Sequence, residues 1–224
     1  MKILIKNRLF VILCLHRSGS SATAGVLNYL GIHMGDHLLG ENSSNPKGHF
    51  ENIEFIKLNE ELLKEYGGSW KKPPNISKLN FSEDQRKRNR INEFIKKNQR
   101  PIWGLKDPRF MLTFPLWKEQ LEQFAKVTYI FLHRPFLESV YSLSHRDRIS
   151  KRKSEKILKP YLRNKNTFRK QLEKEKADLI DVTFLELLSQ PEEFVSKINR
   201  RLGLKENANL EKVRCFIDKR LKKF

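Results

Sequence analysis

Two cysteines in 224 residues, Cys14 and Cys215, do not make a disulfide framework. One lies in an apolar run and the other in a helical pattern, so both read as small packed hydrophobes in a reducing compartment. Long apolar runs are missing as well. Behind the charged start of the chain, Leu9 to Leu15 is seven residues long. That is too short to cross a bilayer, and no small-residue cleavage site follows it. The expectation is a cytoplasmic protein without a transmembrane segment. Acid is scarce, with 26 Asp and Glu against 45 Lys and Arg, a net charge of +19. Such a field attracts anionic cofactors and polyanions, with nucleic acid, an acidic glycan or an anionic membrane surface as the partners to consider. No helix-turn-helix, zinc-finger or RNP-like pattern is present, so a specific nucleic-acid role would rest on charge alone. Internal repeats and long linkers are absent too. What remains, 38% hydrophobic and 32% charged residues, is the composition of a globular chain, and its length suits one domain spanning 1–224.

Four apolar, β-rich segments stand out: 9–15, 102–105, 127–132 and 179–184. Helical patterns fall between and after them, at 20–31, 52–65, 82–98, 115–125, 136–147, 155–175, 191–202 and 210–222. Strands alternating with helices predict a three-layer α/β domain whose mostly parallel sheet is flanked by helices. Ligands bind such sheets at the carboxyl ends of the strands. His16-Arg17, Lys106-Asp107 and His133-Arg134 each follow a strand, so their polar side chains are expected on one edge. The stretches 40–48 and 67–74 read as loops over that edge, and the Lys/Arg-rich stretch from Lys151 to Lys176 reads as a solvated helix face.

The turn His16-Arg17-Ser18-Gly19-Ser20-Ser21 joins an apolar strand to a helix. Free N–H groups and the positive end of the helix dipole meet there, which suits a phosphate or sulfate. Gly19 allows close backbone approach, Ser20 and Ser21 offer hydroxyls, and Arg17 supplies fixed charge. The same residues also make an ordinary polar turn. It is not a Walker A loop, because no Lys follows Gly19 and no opening Gly precedes it. It is not a G-x-S-x-G nucleophile elbow either. Farther along, Ser142 follows Arg134 by eight residues and Arg146 follows Ser142 by four, which puts all three near one helical face. That stripe suits a second phosphate, or is a helix with scattered surface Arg and Ser. His33 and His37 have metal-pair spacing but no third ligand, and Gly35 interrupts them, so no metal site is expected.

The loop Arg17-Ser18-Gly19-Ser20-Ser21 resembles the 5′-phosphosulfate loop of sulfotransferases that use 3′-phosphoadenosine 5′-phosphosulfate (PAPS), above all bacterial ones. Other segments extend the likeness. Arg134 and Ser142 resemble the family's 3′-phosphate pair, with Arg146 as an added arginine. The family has Arg-x-Pro where Pro135 here follows Arg134 directly, so a register anchored on His133 stays open. Lys106-Asp107-Pro108 resembles the turn whose lysine approaches the transferring sulfuryl group, with Asp107 fixing the lysine or the loop and Arg109 supporting it. Asn45 to Asn52 resembles a Pro-x-Gly-aromatic-x-Glu helix opening. Tyr66-Gly67-Gly68-Ser69-Trp70 is similar to a covering loop, though Trp70 reads equally as a packing residue. Val182 to Pro191 is similar to the late strand and turn, with Phe184 in place of Tyr.

The resemblance implies a P-loop-like fold, PAPS as sulfuryl donor without a metal, and a hydroxyl or amine acceptor, with a carbohydrate or glycolipid favoured. It implies that Arg17, Ser18, Gly19, Ser20, Ser21, Arg134, Ser142 and Arg146 hold the nucleotide, and that Lys106 and Glu51 do the chemistry. Glu51 is the candidate base, with Glu54 and His49 as rivals and a helix-start carboxylate as the plainer reading. A P-loop kinase or NTPase, or a basic nucleic-acid-binding module, are the competing functions.

Overall fold

The computed structural model describes residues 7–42, 45, 47–75 and 84–217. Met1 to Lys6, Pro46 of the helix-opening segment, the first residues of the expected helix at 82 and the end of the one at 222 lie outside them.

In chain order the elements are β1 Asn7–Leu13, α1 Ser20–Tyr29, α2 Ile53–Glu65, α3 Gln85–Asn98, β2 Ile102–Lys106, α4 Phe110–Phe124, β3 Ala125–His133, α5 Phe136–Asp147, α6 Lys151–Lys174, β4 Asp178–Thr183, α7 Phe184–Ser189, α8 Pro191–Leu202 and α9 Leu210–Phe216. The four strands form one parallel sheet in the order β2-β1-β3-β4. Helices cover both faces, as a parallel sheet requires. Because strand side chains alternate, β1 feeds two cores. Leu9, Val11 and Leu13 pack under α2, α3, α4 and α6, while Phe10 and Ile12 pack under α1, α8 and α9. The expected α/β class with a parallel sheet between two helical layers is therefore what the chain builds.

Local chemistry explains most element ends. Asn52 caps α2 by accepting from the N–H groups of Glu54 and Phe55. Thr183 and Glu186 form a reciprocal capping box at α7. That box takes Phe184 out of the fourth strand, where the hydrophobic pattern puts it, and makes it the first helical residue. Likewise β1 stops at Leu13 rather than Leu15. Its neighbour β2 ends at Lys106, opposite Ile12, and the chain then leaves the sheet.

Two helices begin earlier than their apolar patterns. In α6 the run Lys151-Arg152-Lys153 is the first turn, because Ser150 caps it by accepting from the Lys153 N–H at 3.2 Å. In α4 the helix starts at Phe110 and runs through Pro115. A proline inside a helix deprives the carbonyl four residues back of its donor, which here is Met111. Asn164 of α6 replaces it, donating from Nδ2 to the Met111 oxygen at 3.1 Å in a buried contact. Asn164→Leu keeps the branching of the side chain but leaves that carbonyl unpaired. It is expected to cost about 1–3 kcal/mol in urea unfolding, with α4 retained by circular dichroism; an unchanged midpoint would show that Pro115 needs no such partner.

Candidate active site

β1 delivers the chain to the centre of the carboxyl edge. Cys14, Leu15 and His16 stay buried, and then Arg17 (φ 64°) and Gly19 (φ 94°) turn the chain through left-handed conformations. α1 starts at Ser20 with no side chain capping its N-terminus, so its first N–H groups face outward as a cradle. Gly19 is required twice over. Its φ disfavours any side chain, and an added Cβ would come within 2.1 Å of the Phe184 ring. Ser18 turns back and donates its hydroxyl to the Leu15 carbonyl at 2.7 Å, which fixes the loop.

The second strand brings Lys106 to this cradle. Its ammonium is buried, 2.6 Å from Glu51 Oε1 and 3.2 Å from Ser21 Oγ. Glu51 arrives on the excursion between α1 and α2, whose two arms meet where the Leu39 N–H donates to the Glu51 carbonyl and where Leu38 bridges Asn52. From the same excursion Asn45 Nδ2 donates to Ser21 Oγ at 2.7 Å. The rival carboxylate, Glu54, lies elsewhere, paired with Lys97 and Asn98. His49 is joined to the Asn42 side chain at 2.8 Å. Asp107 fixes the turn rather than the lysine. It accepts from the Arg109 backbone and guanidinium and from Asn59 Nδ2. Burial pushes its carboxyl up to about 6, Arg109 opposes that shift, and the Glu51 charge adds to it.

The third strand delivers Arg134, whose Nη1 donates to the Arg17 carbonyl at 2.9 Å. The same guanidinium meets Glu138 at 2.9 Å and lies over the Phe184 ring. Ser142 Oγ accepts from Arg17 Nε at 3.0 Å. The two basic loops, 117 residues apart at Arg17 and Arg134, therefore bond directly to each other. His133 points to the neighbouring strand instead, 2.7 Å from Asp181 and 3.5 Å from Lys165. Arg146 bonds Asp147 and lies over the Trp70 ring, which also carries Lys71. Crowding has an electrostatic signature: burial first, then the charges of Arg146 and Arg134, lowers the Arg17 guanidinium to about 10.

Sequence reasoning gave no role to His16. The residue is buried, its ring packs against Trp70 at 4.8 Å and Tyr161 at 5.1 Å, and its Nε2 has no hydrogen-bond partner among the described residues. Tyr161 also holds the covering loop by donating to the Trp70 carbonyl. The signal that was there is the position of His16, one step before Arg17 at the end of a buried strand. Cys215 departs from expectation: it is exposed beside Phe216 and lines a cavity of about 450 Å³ with Tyr29, Leu38 and Phe50. Short α9 turns Phe216 inward, against Gly25, and leaves Cys215 on its outer side. His33 pairs with Asp36 at 3.1 Å.

No protein-family model matches the sequence, and no curated protein does either. Solved structures do match. The sulfotransferase domain of the Synechococcus PCC 7002 olefin synthase aligns over 100% of this chain and 90% of its own, with TM-score 0.52 and 15% identity. Sulfotransferase STF9 from Mycobacterium avium aligns over 93% of this chain and 67% of its own, with TM-score 0.57 and 10% identity. A sulfotransferase domain from the curacin biosynthetic pathway aligns over 92% and 77%, with TM-score 0.49 and 16% identity. The chain thus shares the P-loop-like α/β fold of sulfotransferase domains.

Burial, and the charges of Arg109, Arg146, Lys106 and Arg17, hold the His16 imidazole well below its usual range, so it stays neutral in the fold. In the unfolded chain it takes a proton below about pH 6.5. The unfolded state then binds more protons, and stability falls as pH drops, by up to about 1.4 kcal/mol per pH unit for this one group. His16→Phe should shrink the difference between urea midpoints at pH 7 and pH 5. An undiminished difference would mean that His16 is protonated in the fold.

Proposed function

We propose that the protein, as one domain spanning 1–224, is a sulfotransferase that moves a sulfuryl group from PAPS to a hydroxyl or amine of a carbohydrate or glycolipid. The observation that carries this reading is the buried Lys106–Glu51 pair at the mouth of an uncapped helix N-terminus, with Ser21 within reach of the ammonium. The likeness of fold to sulfotransferase domains supports it.

The residues fit such a donor. The first turn of α1 offers N–H groups that no side chain caps, and Arg17, Lys106, Arg134 and Arg146 supply positive charge without a metal. Arg17, Ser18, Gly19, Ser20 and Ser21 would hold the 5′-phosphosulfate; Arg134, Ser142 and Arg146 would hold the 3′-phosphate. When bound, the donor supplies an activated sulfuryl group. Lys106 neutralises charge that develops as its bond to the phosphate oxygen breaks. As the ammonium turns toward that charge, Glu51 is released from its ion pair and accepts the acceptor's proton. Cys14 and Cys215 are free thiols, which suits a reducing cytoplasm, and no helix among the described residues is long and apolar enough to cross a membrane.

Calorimetric titration in EDTA tests the donor assignment. Adenosine 3′,5′-bisphosphate is expected to bind far more tightly than AMP, and Arg134→Ala to remove roughly 1.5–3 kcal/mol of that affinity. Equal affinities for the two nucleotides would remove the 3′-phosphate site. For the chemistry, Glu51→Gln is expected to lose roughly 10²–10⁴-fold in turnover and Lys106→Ala roughly 10²–10³-fold. Retained binding of the bisphosphate serves as the control for folding. Wild-type turnover by Glu51→Gln, on an acceptor found by screening glycans and glycolipids, would reduce Glu51 to a helix-start carboxylate.

A further inference from the structure

The exposed face of α6 is not used by the site described above. Arg152, Lys156, Lys159, Arg163, Lys170 and Lys174 are all exposed and recur every three or four residues, apart from one gap at Asn166 and Thr167. Such spacing stacks them on one side of the helix, about 5 Å apart per turn. The acids in and just after α6 are already engaged: Glu155 with Lys159 at 2.8 Å, Glu173 with Arg169 at 3.2 Å, and Glu175 with Lys118 at 2.9 Å. Glu155 takes up Lys159, one of the six, which leaves Arg152, Lys156, Arg163, Lys170 and Lys174 to give the stripe its excess of positive charge along a helix of 24 residues.

It also starts at the site. Only residues 148–150 separate α5, which carries Ser142 and Arg146, from the first turn of α6. Lys71 extends the basic rim on the other side, over Trp70 and 3.2 Å from Asp147.

We propose that this stripe is a docking surface for a linear acidic polysaccharide, the polymer on which the acceptor group is borne. The inference rests on the sulfotransferase reading for the words "acceptor group" and on the stripe for the rest. Exposed Asn166 and Thr167 fill the gap in the stripe and offer hydrogen bonds to sugar hydroxyls between the flanking cations. A membrane is the poorer partner. A helix that lies on a bilayer inserts its apolar face, and the apolar face of α6, with Ile157, Leu158, Tyr161, Phe168 and Leu172, is in the core. Nucleic acid is also the poorer partner. No aromatic side chain stands among the exposed residues of α6 to stack a base, and the helix is packed against the domain along its length, so it cannot enter a groove; contact with phosphates alone is left to a nucleic acid, and the duplex in the test below measures it.

The test uses the full chain and a fluorescent hyaluronan decasaccharide as probe, read by anisotropy over a range of salt. The wild type is expected to bind, with affinity falling steeply as salt rises through counterion release. The triple variant Lys156→Glu, Arg163→Glu and Lys170→Glu is expected to bind at least tenfold more weakly and with a shallower salt dependence. Its affinity for adenosine 3′,5′-bisphosphate should equal that of the wild type. Equal probe binding by variant and wild type overturns the proposal. So does tighter stripe-dependent binding of a 20-base-pair DNA duplex, or of phosphatidylserine vesicles, than of the glycan. If the wild type binds the glycan through the stripe but does not bind the bisphosphate, the polysaccharide surface stands and the sulfuryl-transfer reading falls.

Discussion

A lysine ammonium shut away from water is tolerated only with a partner, because the desolvation penalty is several kcal/mol per ion. Lys106 is 2% exposed, and its partner is Glu51, 7% exposed and 55 residues distant in sequence. Much of the site's architecture follows from that requirement. The segment from Leu38 to Asn52 has little core of its own, yet it must deliver a carboxylate to the end of β2. It does so by bonding its two arms to each other and by tying Asn45 to Ser21 on α1. Removing either charge would strand the other, so the pair fixes the position of the loop above the cradle as firmly as a packed side chain would.

A second constraint acts in the opposite sense. Arg17, Arg134 and Arg146 are gathered at one edge, where burial first and then the charges of Arg146 and Arg134 lower the Arg17 guanidinium to about 10, and where burial with the charges of Arg109, Arg146, Lys106 and Arg17 keeps His16 neutral. Like charges gathered in this way raise the energy of the fold unless an anion relieves them. Glu138 and Asp147 relieve part of that repulsion by pairing with Arg134 and Arg146, and directional bonding holds the rest: the Arg17 carbonyl accepts from Arg134, and the Ser142 hydroxyl accepts from Arg17 Nε. Gly19 lets Phe184 close over the turn, and the Phe184 ring then carries Arg134 on its face. The chain accepts electrostatic strain at one edge of its sheet, and the two well-packed cores beneath supply the stability that permits it.

The strands were legible because parallel strands are buried on both faces and read as continuous apolar runs. The convergence of Arg17, Lys106 and Arg134 was legible for the same reason. Once three runs are assigned to one parallel sheet, the residues that follow them must share an edge. The starts of α4 and α6 were not legible from apolar periodicity. Pro115 ordinarily opens or breaks a helix, and its tolerance depends on Asn164, which is 49 residues away in sequence. Cys215 was misread because helical spacing alone cannot tell which side of a seven-residue helix faces the core.

Side-chain pairings were the least legible layer, and for a definite physical reason. Periodicity reports burial of apolar residues, whereas the site consists of buried polar ones. Glu51 was named as a carboxylate near the chemistry, but nothing in its neighbourhood in sequence says that Lys106 would stand 2.6 Å from it. His16 was part of a recognised turn, yet its neutrality comes from Trp70 and Tyr161 shielding it and from the charges of its neighbour Arg17, of Lys106 and Arg109 after β2, and of Arg146 on α5. These properties belong to the assembled edge rather than to any segment. A motif can therefore locate the edge at which charge will gather, while the state of each charged group is set only when strands β1, β2 and β3 bring the segments together.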